Sequence, residues 1–210
     1  MTARTTTTRP PQRRQRRDTA RRTREAKIRA THRRRLLVLG ATLLGVVALI
    51  GTMMWTARDT SDSTVRPAPD FTLTDTNGTS VRLAELRGRN VVLYFNEGAG
   101  CQSCLLQMVD IERSAAAFAD ENVTVFPIVM NTVDQIRSDM AANGVRTPFL
   151  LDDGTVSGAY GTLGKGMHAG LPGHSFVLID AQGMQRWYGE YPSMYLPATD
   201  LLSEIRARLG

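Results

Sequence analysis

Cys101 and Cys104 are the only two cysteines in the chain, and two residues separate them. They follow the apolar run NVVLYF, residues 90–95, and open a segment with helical periodicity. A cysteine at the start of a helix lies near unpaired backbone N–H groups, which favour its thiolate, the nucleophile of disulfide exchange. A second cysteine one helical turn further on is near enough to attack a mixed disulfide. The spacing therefore predicts a redox pair.

Two other uses of the cysteines are less favoured. A purely structural disulfide would close a short loop inside one helix, and it would therefore remove little chain entropy. A structural zinc ion needs four ligands, commonly in closely spaced pairs. The only histidines that could join the cysteines, His168 and His174, lie more than 60 positions further along the chain.

The sequence around the cysteines alternates between strand and helix patterns. Asn77-Gly78 lies between two short extended runs and predicts a β-hairpin, and LAELRG after it predicts one helical turn. The predicted strands are 90–95, 123–130, 148–152, 175–180 and MQRWYGEY, and the predicted helices are 101–120, 132–144 and ATDLLSEIRARLG. This order indicates βαβ units around a central sheet, which is an α/β fold.

A long apolar segment lies upstream of these elements. Residues 36–55 read LLVLGATLLGVVALIGTMMW and carry no charge. A helix of this length spans about 30 Å, the thickness of the hydrocarbon core of a bilayer. The apolar region of a signal peptide is shorter and ends in small residues, whereas this run ends in Met53, Met54 and Trp55. The pattern predicts an uncleaved transmembrane helix that anchors the chain in a lipid bilayer.

The first 35 residues are strongly basic. They carry 13 Arg and one Lys against Asp18 and Glu25, a net charge of +12, which leaves −6 for the remainder. Because basic flanks stay on the cytoplasmic side, residues 1–35 are predicted to be a disordered cytoplasmic tail of a single-pass plasma-membrane protein. The tail lacks Phe, Trp and Tyr, so its composition disfavours nucleic acid as a partner and favours anionic lipid head groups.

The segment after the apolar run divides into two parts. Residues 56–68 are polar and Pro-containing, and this composition predicts a linker. Residues 69–210 are then a single folded domain outside the membrane, long enough to bury a core without a disulfide staple.

A family resemblance rests on APDFTLTDTNGTSVRLAELRGRNVVLYF, GCQSC and SFVLIDAQG. Over about residues 68–210 the chain resembles the membrane-anchored thioredoxin-like proteins of the AhpC/TSA–TlpA group, and it is similar to redoxin-domain proteins of actinobacterial type. The resemblance implies a thioredoxin-like fold, which is a central mixed sheet flanked by helices, here with an N-terminal β-hairpin. It also implies extracytoplasmic thiol–disulfide exchange without a cofactor. It makes Cys101 the attacking and Cys104 the resolving cysteine. The implied partners are thiols or disulfides of exported proteins, or a membrane electron-donor protein.

The chain departs from the family pattern near the cysteines. TlpA-like proteins usually have Trp before the first cysteine and Pro before the second, where this chain has Gly100 and Ser103. They often have Glu three residues after the second cysteine, where this chain has Gln107. Peroxiredoxins carry Thr or Ser three positions before the reactive cysteine, and Gly98 stands there. These differences leave the direction of electron flow open and weaken the alternative of a thiol peroxidase.

GLPGHSFVLID raises two further alternatives. The family's cis-proline precedes the strand that faces the cysteines, and Pro172 and His174 are the candidates for this position in the substrate-binding loop. Copper chaperones of Sco type resemble this chain as well, and they bind copper through two cysteines and a histidine before the equivalent strand. Thiolates and imidazole suit copper, so the alternative copper site is Cys101, Cys104 and His174.

Residues in neighbouring loops complete the candidate site. Glu97 precedes the cysteines and is a possible proton acceptor for Cys104, although a solvated loop carboxylate is the preferred interpretation. Met167 and His168 lie in a Gly-rich loop and are expected to line the site. Trp187, Tyr188 and Tyr191 are expected to pack the last strand. Thiol–disulfide exchange by Cys101 and Cys104 is the favoured function.

Overall fold

The computed structural model describes residues 12–56, 58–165 and 168–209. The chain forms two compact units, residues 1–56 and residues 57–210. The first unit contains one helix, α1 (Gln12–Thr56). Its part Arg33–Met54 is long and apolar enough to cross a membrane, as a core helix or a signal sequence can also be. This part contains nearly all of the predicted span 36–55.

Most of the basic tail is helical in the structure. Residues 1–11 lie outside the described residues, and from Gln12 onward the basic stretch continues without interruption into the apolar part of α1. The prediction of disorder was therefore wrong for residues 12–35. Arg, Gln and Ala are good helix formers, and the last proline of the segment, Pro11, precedes the helix.

The described residues of the second unit form nine strands. Six of them are β3 (Thr72–Asp75), β4 (Ser80–Arg82), β5 (Asn90–Phe95), β6 (Val123–Val129), β8 (Ser175–Ile179) and β9 (Met184–Glu190). The other strands are β1 (Thr60–Asp62), β2 (Arg66–Pro67) and β7 (Leu150–Leu151). The helices of this unit are α2 (Gln102–Arg113), α3 (Ala115–Asp120), α4 (Val133–Asn143), α5 (Thr155–Ala159) and α6 (Ala198–Leu209), and a 3-10 turn spans Leu83–Leu86.

All nine strands belong to one mixed sheet. Its order is β1-β9-β8-β5-β6-β7-β3-β4, and β2 also pairs with β9. The central strands β5 and β6 are parallel, whereas β8 is antiparallel to both β5 and β9. The hairpin predicted at Asn77-Gly78 joins β3 to β4. This is a thioredoxin-like fold, a mixed sheet flanked by helices, and the predicted fold class is confirmed.

Both faces of the sheet are buried. Val92 and Tyr94 of β5 face a core that includes residues of α2, α3, α4 and α6, whereas Leu93 and Phe95 face a second core beneath the 3-10 turn and α5. This explains why β5 reads as a continuous apolar run and not as an alternating one. Trp187 and Tyr191 are buried against the first core, as the sequence predicts.

The structure differs from the predicted elements at three places. The predicted linker 56–68 contains β1 and β2, which pair with β9 and extend the sheet. The single helix predicted over 101–120 is divided at Ser114, which is the C-terminal capping residue of α2 and the N-terminal capping residue of α3. The short helix α5 was not predicted, because Gly154 and Gly158 make its sequence resemble a loop.

Candidate active site

Cys101 and Cys104 form a disulfide at the start of α2, with their Cα atoms 5.3 Å apart. Cys101 is the N-terminal capping residue of the helix, and its backbone is extended. The backbone N–H of Cys104 donates to Cys101 Sγ at 3.3 Å. This N–H, in the first turn of the helix, also lies 3.1 Å from the carbonyl oxygen of Cys101. Its contact with Sγ would stabilise a thiolate on Cys101 in the reduced state.

The two sulfurs differ in their access to solvent. Cys104 is fully buried in the core cluster that contains Tyr94 and Met108, whereas Cys101 is only partly buried. A partner can therefore reach Cys101 and cannot reach Cys104 without a movement of the helix. The attacking role of Cys101 and the resolving role of Cys104 stay predictions of the resemblance, and they require this difference in access.

The loop before Cys101 is held from β6 and α4. The backbone N–H of Ala99 donates to Asn131 Oδ1 at 2.9 Å, and that of Gly100 donates to Asp139 Oδ2 at 2.7 Å. Gly98 has a φ of +72°, and a Cβ at this position would overlap the side chain of Asn131. A Thr or Ser, the residue that peroxiredoxins carry here, does not fit at position 98 in this loop.

Asn131 and Asp139 were not predicted as site residues. A signal for Asn131 exists in the sequence, because it lies two residues after the end of strand β6 and the carboxyl ends of neighbouring parallel strands meet at one edge of a sheet. Asp139 lies in the middle of α4, and nothing in its sequence neighbourhood distinguishes it from a solvent-exposed helix carboxylate.

His174 lies immediately before β8 and is 1% exposed. Its Nδ1 is 3.1 Å from the hydroxyl of Tyr94, and its Nε2 is 3.3 Å from Oε1 of Gln107 on α2. The Tyr94 hydroxyl is also 3.4 Å from the carbonyl oxygen of Cys104. The histidine singled out in the sequence therefore lies beside the first turns of α2, and Tyr94 connects it to the backbone of Cys104.

Burial controls the charge of this group of side chains. Desolvation lowers the pKa of His174 to about 3, and it raises the pKa of Tyr94 well above its usual value. Both side chains are therefore neutral at physiological pH.

Pro172 does not have the cis bond that the resemblance suggests. Pro172 and His174 were the two candidates for the cis-proline position, and the described residues contain no cis peptide bond, so Pro172 is a trans residue in this structure. Pro172 forms an isolated bridge with Leu163, and Gly173 separates it from His174. His174 is thus the residue that directly precedes the strand beside the cysteines.

Glu97 is buried, so the preferred interpretation as a solvated loop carboxylate was wrong. Glu97 is 3% exposed, and its Oε2 lies 2.9 Å from Nδ1 of His168. The backbone N–H of His168 donates to the other carboxylate oxygen at 3.3 Å. His168 therefore holds the Gly-rich loop against the segment before Cys101, while Met167 lies outside the described residues.

The proposed copper ligands do not fit copper as they are arranged. Both ring nitrogens of His174 are occupied by hydrogen bonds to Tyr94 and Gln107. Within the described ranges, no three side chains of His, Cys, Asp or Glu are close enough to hold a metal ion together. A ligating His174 would have to break one of its two hydrogen bonds and turn away from the core.

The mixed sheet and the Cys-x-x-Cys disulfide at a helix start define a thioredoxin-like redoxin. The model of the AhpC/TSA family matches residues 65–187, so the chain belongs to this family. A putative peroxiredoxin of Mycobacterium tuberculosis is 33% identical, over 47% of this chain and 63% of its own length. The thiol-disulfide oxidoreductase ResA of Geobacillus kaustophilus is 32% identical, over 56% of this chain and 82% of its own.

A solved structure has the same fold. The crystal structure of peroxidoxin BcpB from Mycobacterium tuberculosis superposes with a TM-score of 0.59 at 24% identity, over 69% of this chain and 97% of that protein. The relatives therefore include both peroxidases and a disulfide oxidoreductase by name. The geometry around Cys101 must distinguish between these activities.

Proposed function

We propose that the chain is a thiol–disulfide oxidoreductase whose redox centre is the Cys101–Cys104 pair. The observation that carries this proposal is the disulfide at the start of α2, with one accessible and one fully buried sulfur. The similarity to ResA supports the same activity. A disulfide that closes so short a loop contributes little to stability, which also favours a chemical role.

The exchange takes place in two steps. The Cys101 thiolate attacks one sulfur of a partner's disulfide, so that a mixed disulfide forms and the partner's other sulfur leaves as a thiolate. The Cys104 sulfur then loses its proton and attacks Cys101 Sγ, which releases the partner's second thiolate. Two electrons pass to the partner, and the Cys101–Cys104 disulfide remains. The reverse sequence oxidises a partner dithiol.

The test is reduction of a protein disulfide by the full chain with dithiothreitol as electron source. The Cys101→Ser variant should lose the activity, because it removes the attacking sulfur. Equal rates for the variant and the parent chain would contradict the proposal. The reduction potential of the pair sets the direction: a value near about −270 mV suits a reductant, and one near about −120 mV suits an oxidant.

A thiol peroxidase is the second candidate, because relatives named as peroxiredoxins match the chain. Gly98 argues against a peroxidase, because glycine offers no hydroxyl to bind a peroxide. The side chain of Asn131 also leaves no room for a Ser or Thr at this position. The reduced chain should consume hydrogen peroxide no faster than its Cys101→Ser variant. A rate that depends on Cys101 and exceeds disulfide exchange would make peroxidase the main activity.

Copper binding is tested on the same protein. The engaged ring of His174 predicts that Cu(I) affinity of the reduced chain is unchanged in His174→Ala. A Cu(I) affinity that falls at least tenfold in this variant would support His174 as a copper ligand and thus the copper-chaperone alternative.

We place the redox domain outside the cytoplasmic membrane, with α1 as its anchor and its basic end in the cytoplasm. The apolar part Arg33–Met54 and the Arg residues before it support this topology. The proposed partners are thiols or disulfides of exported proteins, or a membrane protein that donates electrons. No nucleic acid is proposed as a partner.

A further inference from the structure

Gln107 is a fully buried glutamine on α2, one turn after Cys104. Its Nε2 donates to the carbonyl oxygen of Leu196 at 2.7 Å, and its Oε1 accepts from the backbone N–H of Leu196 at 2.8 Å. These two bonds fix which end of the amide is oxygen. The atom that faces His174 Nε2 at 3.3 Å is therefore an acceptor.

The orientation of Gln107 fixes the protonation of the histidine ring. Nε2 must carry a hydrogen to donate to an acceptor, so Nδ1 of the neutral ring is unprotonated and accepts. The donor to Nδ1 is the Tyr94 hydroxyl, at 3.1 Å. The Tyr94 hydroxyl can donate only one hydrogen bond. While it donates to His174 Nδ1, it does not donate to the carbonyl oxygen of Cys104, which lies 3.4 Å away.

We propose that Gln107 is a positioning residue for disulfide exchange: it holds His174 as the neutral Nε2–H form, and the chain Gln107–His174–Tyr94 thereby stays uncharged beneath Cys104. This inference rests on the proposed function. Tyr94 on β5 contacts the ring, Cys104 lies with Tyr94 in the same core cluster, and the backbone N–H of Tyr191 after β9 donates to the His174 carbonyl oxygen. The two carboxylates of α2 bind elsewhere: Asp110 accepts from the Tyr195 hydroxyl and Glu112 from Thr147. None of the ring's hydrogen bonds in the described part of the chain ends on a carboxylate.

A carboxylate at position 107 would reverse this arrangement. It accepts from both His174 and Leu196 but has no hydrogen for the Leu196 carbonyl, and its charge favours the imidazolium. Nδ1 would then carry a proton and donate to Tyr94, whose own proton would turn to the Cys104 carbonyl. A charge would enter a buried site in which neighbouring charges interact strongly.

The experiment measures the state of the ring and the redox equilibrium separately, on the full chain in detergent. The ¹⁵N shifts of His174 should show Nε2–H and unprotonated Nδ1 in both redox states of the parent chain. Gln107→Glu should show an imidazolium that titrates. The equilibrium constant of the pair with glutathione should change at least tenfold in this variant, which corresponds to about 30 mV for a two-electron couple.

Gln185→Glu is the matched control, because Gln185 is a glutamine on β9 that is 2% exposed and bonded to Arg66. It should leave the equilibrium constant within twofold of the parent value. Gln107→Leu, which removes the acceptor without adding charge, should free the ring and change the tautomer.

Two results would overturn the inference. One is an Nδ1–H tautomer in the parent chain. The other is an equilibrium constant that Gln107→Glu leaves unchanged although the variant folds. Neither measurement requires a physiological partner, so an absence of exchange activity would refute the proposed function and leave this inference testable.

Discussion

At the scale of single residues, the unequal exposure of the two sulfurs is the feature that orders the chemistry. Cys101 is partly buried beside a glycine loop, and Cys104 lies at the other end of the first helical turn with no exposed surface. An incoming disulfide therefore meets Cys101 first. Cys104 meets only the mixed disulfide that Cys101 has already formed.

This order predicts that Cys104→Ser accumulates a mixed disulfide. Without the resolving sulfur, the bond between Cys101 and a partner protein persists, and it should be visible by non-reducing electrophoresis as a thiol-sensitive band. Cys101→Ser should give no such band. A band of equal intensity from both variants would mean that Cys104 is open to partners after all.

His174 predicts a pH dependence of stability. Its pKa is about 3 in the folded state and near 6.5 in the unfolded chain, so the unfolded state binds more protons in between. The free energy of unfolding is therefore unaffected by the titration of His174 above pH 6.5 and decreases as the pH falls below it, by about 2 kcal/mol at about pH 5. Urea unfolding of the parent chain and of His174→Asn checks this, since the variant should lose that part of the slope.

At the scale of elements, the loop between β5 and α2 depends on contacts from its neighbours. Gly98 and Gly100 both have positive φ, but only Gly98 lies against other side chains, those of Asn131 and Val129. The two glycines therefore form a matched pair for substitution. A Cβ would strain the backbone at both positions, but it would overlap a neighbouring side chain only at position 98.

Gly100→Ala should cost about 1 kcal/mol of unfolding free energy, the cost of a left-handed conformation for a residue with a Cβ. Gly98→Ala should cost about 2–4 kcal/mol, because the overlap with Asn131 adds to that strain. Chemical denaturation measures both. Equal costs would show that Asn131 moves aside freely.

Strand β1, at the edge of the sheet, stabilises the fold through a hydrogen bond to a buried side chain. The indole N–H of Trp187, a fully buried residue, donates to Ser61 Oγ at 2.8 Å. Ser61→Ala should destabilise the fold by about 1–3 kcal/mol, because it leaves a buried donor without its partner. Ser63→Ala removes an exposed bond to Arg208 and should cost much less in the same unfolding experiment.

At the scale of the whole molecule, the proposed topology predicts which compartment holds Cys101. After mild reduction of intact cells, a membrane-impermeant maleimide should label the chain, and Cys101→Ser should abolish the label. Labelling only after the cells are permeabilised would place the redox domain in the cytoplasm. Removal of residues 1–56 should release the protein from the membrane fraction.

The sequence predicts those parts of the molecule that depend on local patterns. The capped helix α4, with its Thr132 and Gln135 capping box and left-handed Gly144, and the buried strand β5 follow from their own residues. Other parts depend on distant partners. Residues 58–68 read as a linker because nothing local indicates that β9 would pair with them, and Glu97 is buried only because His168 approaches from a loop 71 positions away.

The absence of exposed surface on Cys104 also determines how long a captured partner stays bound. The second step of exchange begins inside the domain, because the buried sulfur must move to within reach of Cys101 Sγ before it can release the partner. The lifetime of a mixed disulfide then depends on this protein's own packing as well as on the pKa of the partner's leaving thiol. Substitutions that loosen the core around α2 should therefore shorten that lifetime, and they should do so for partners of different kinds.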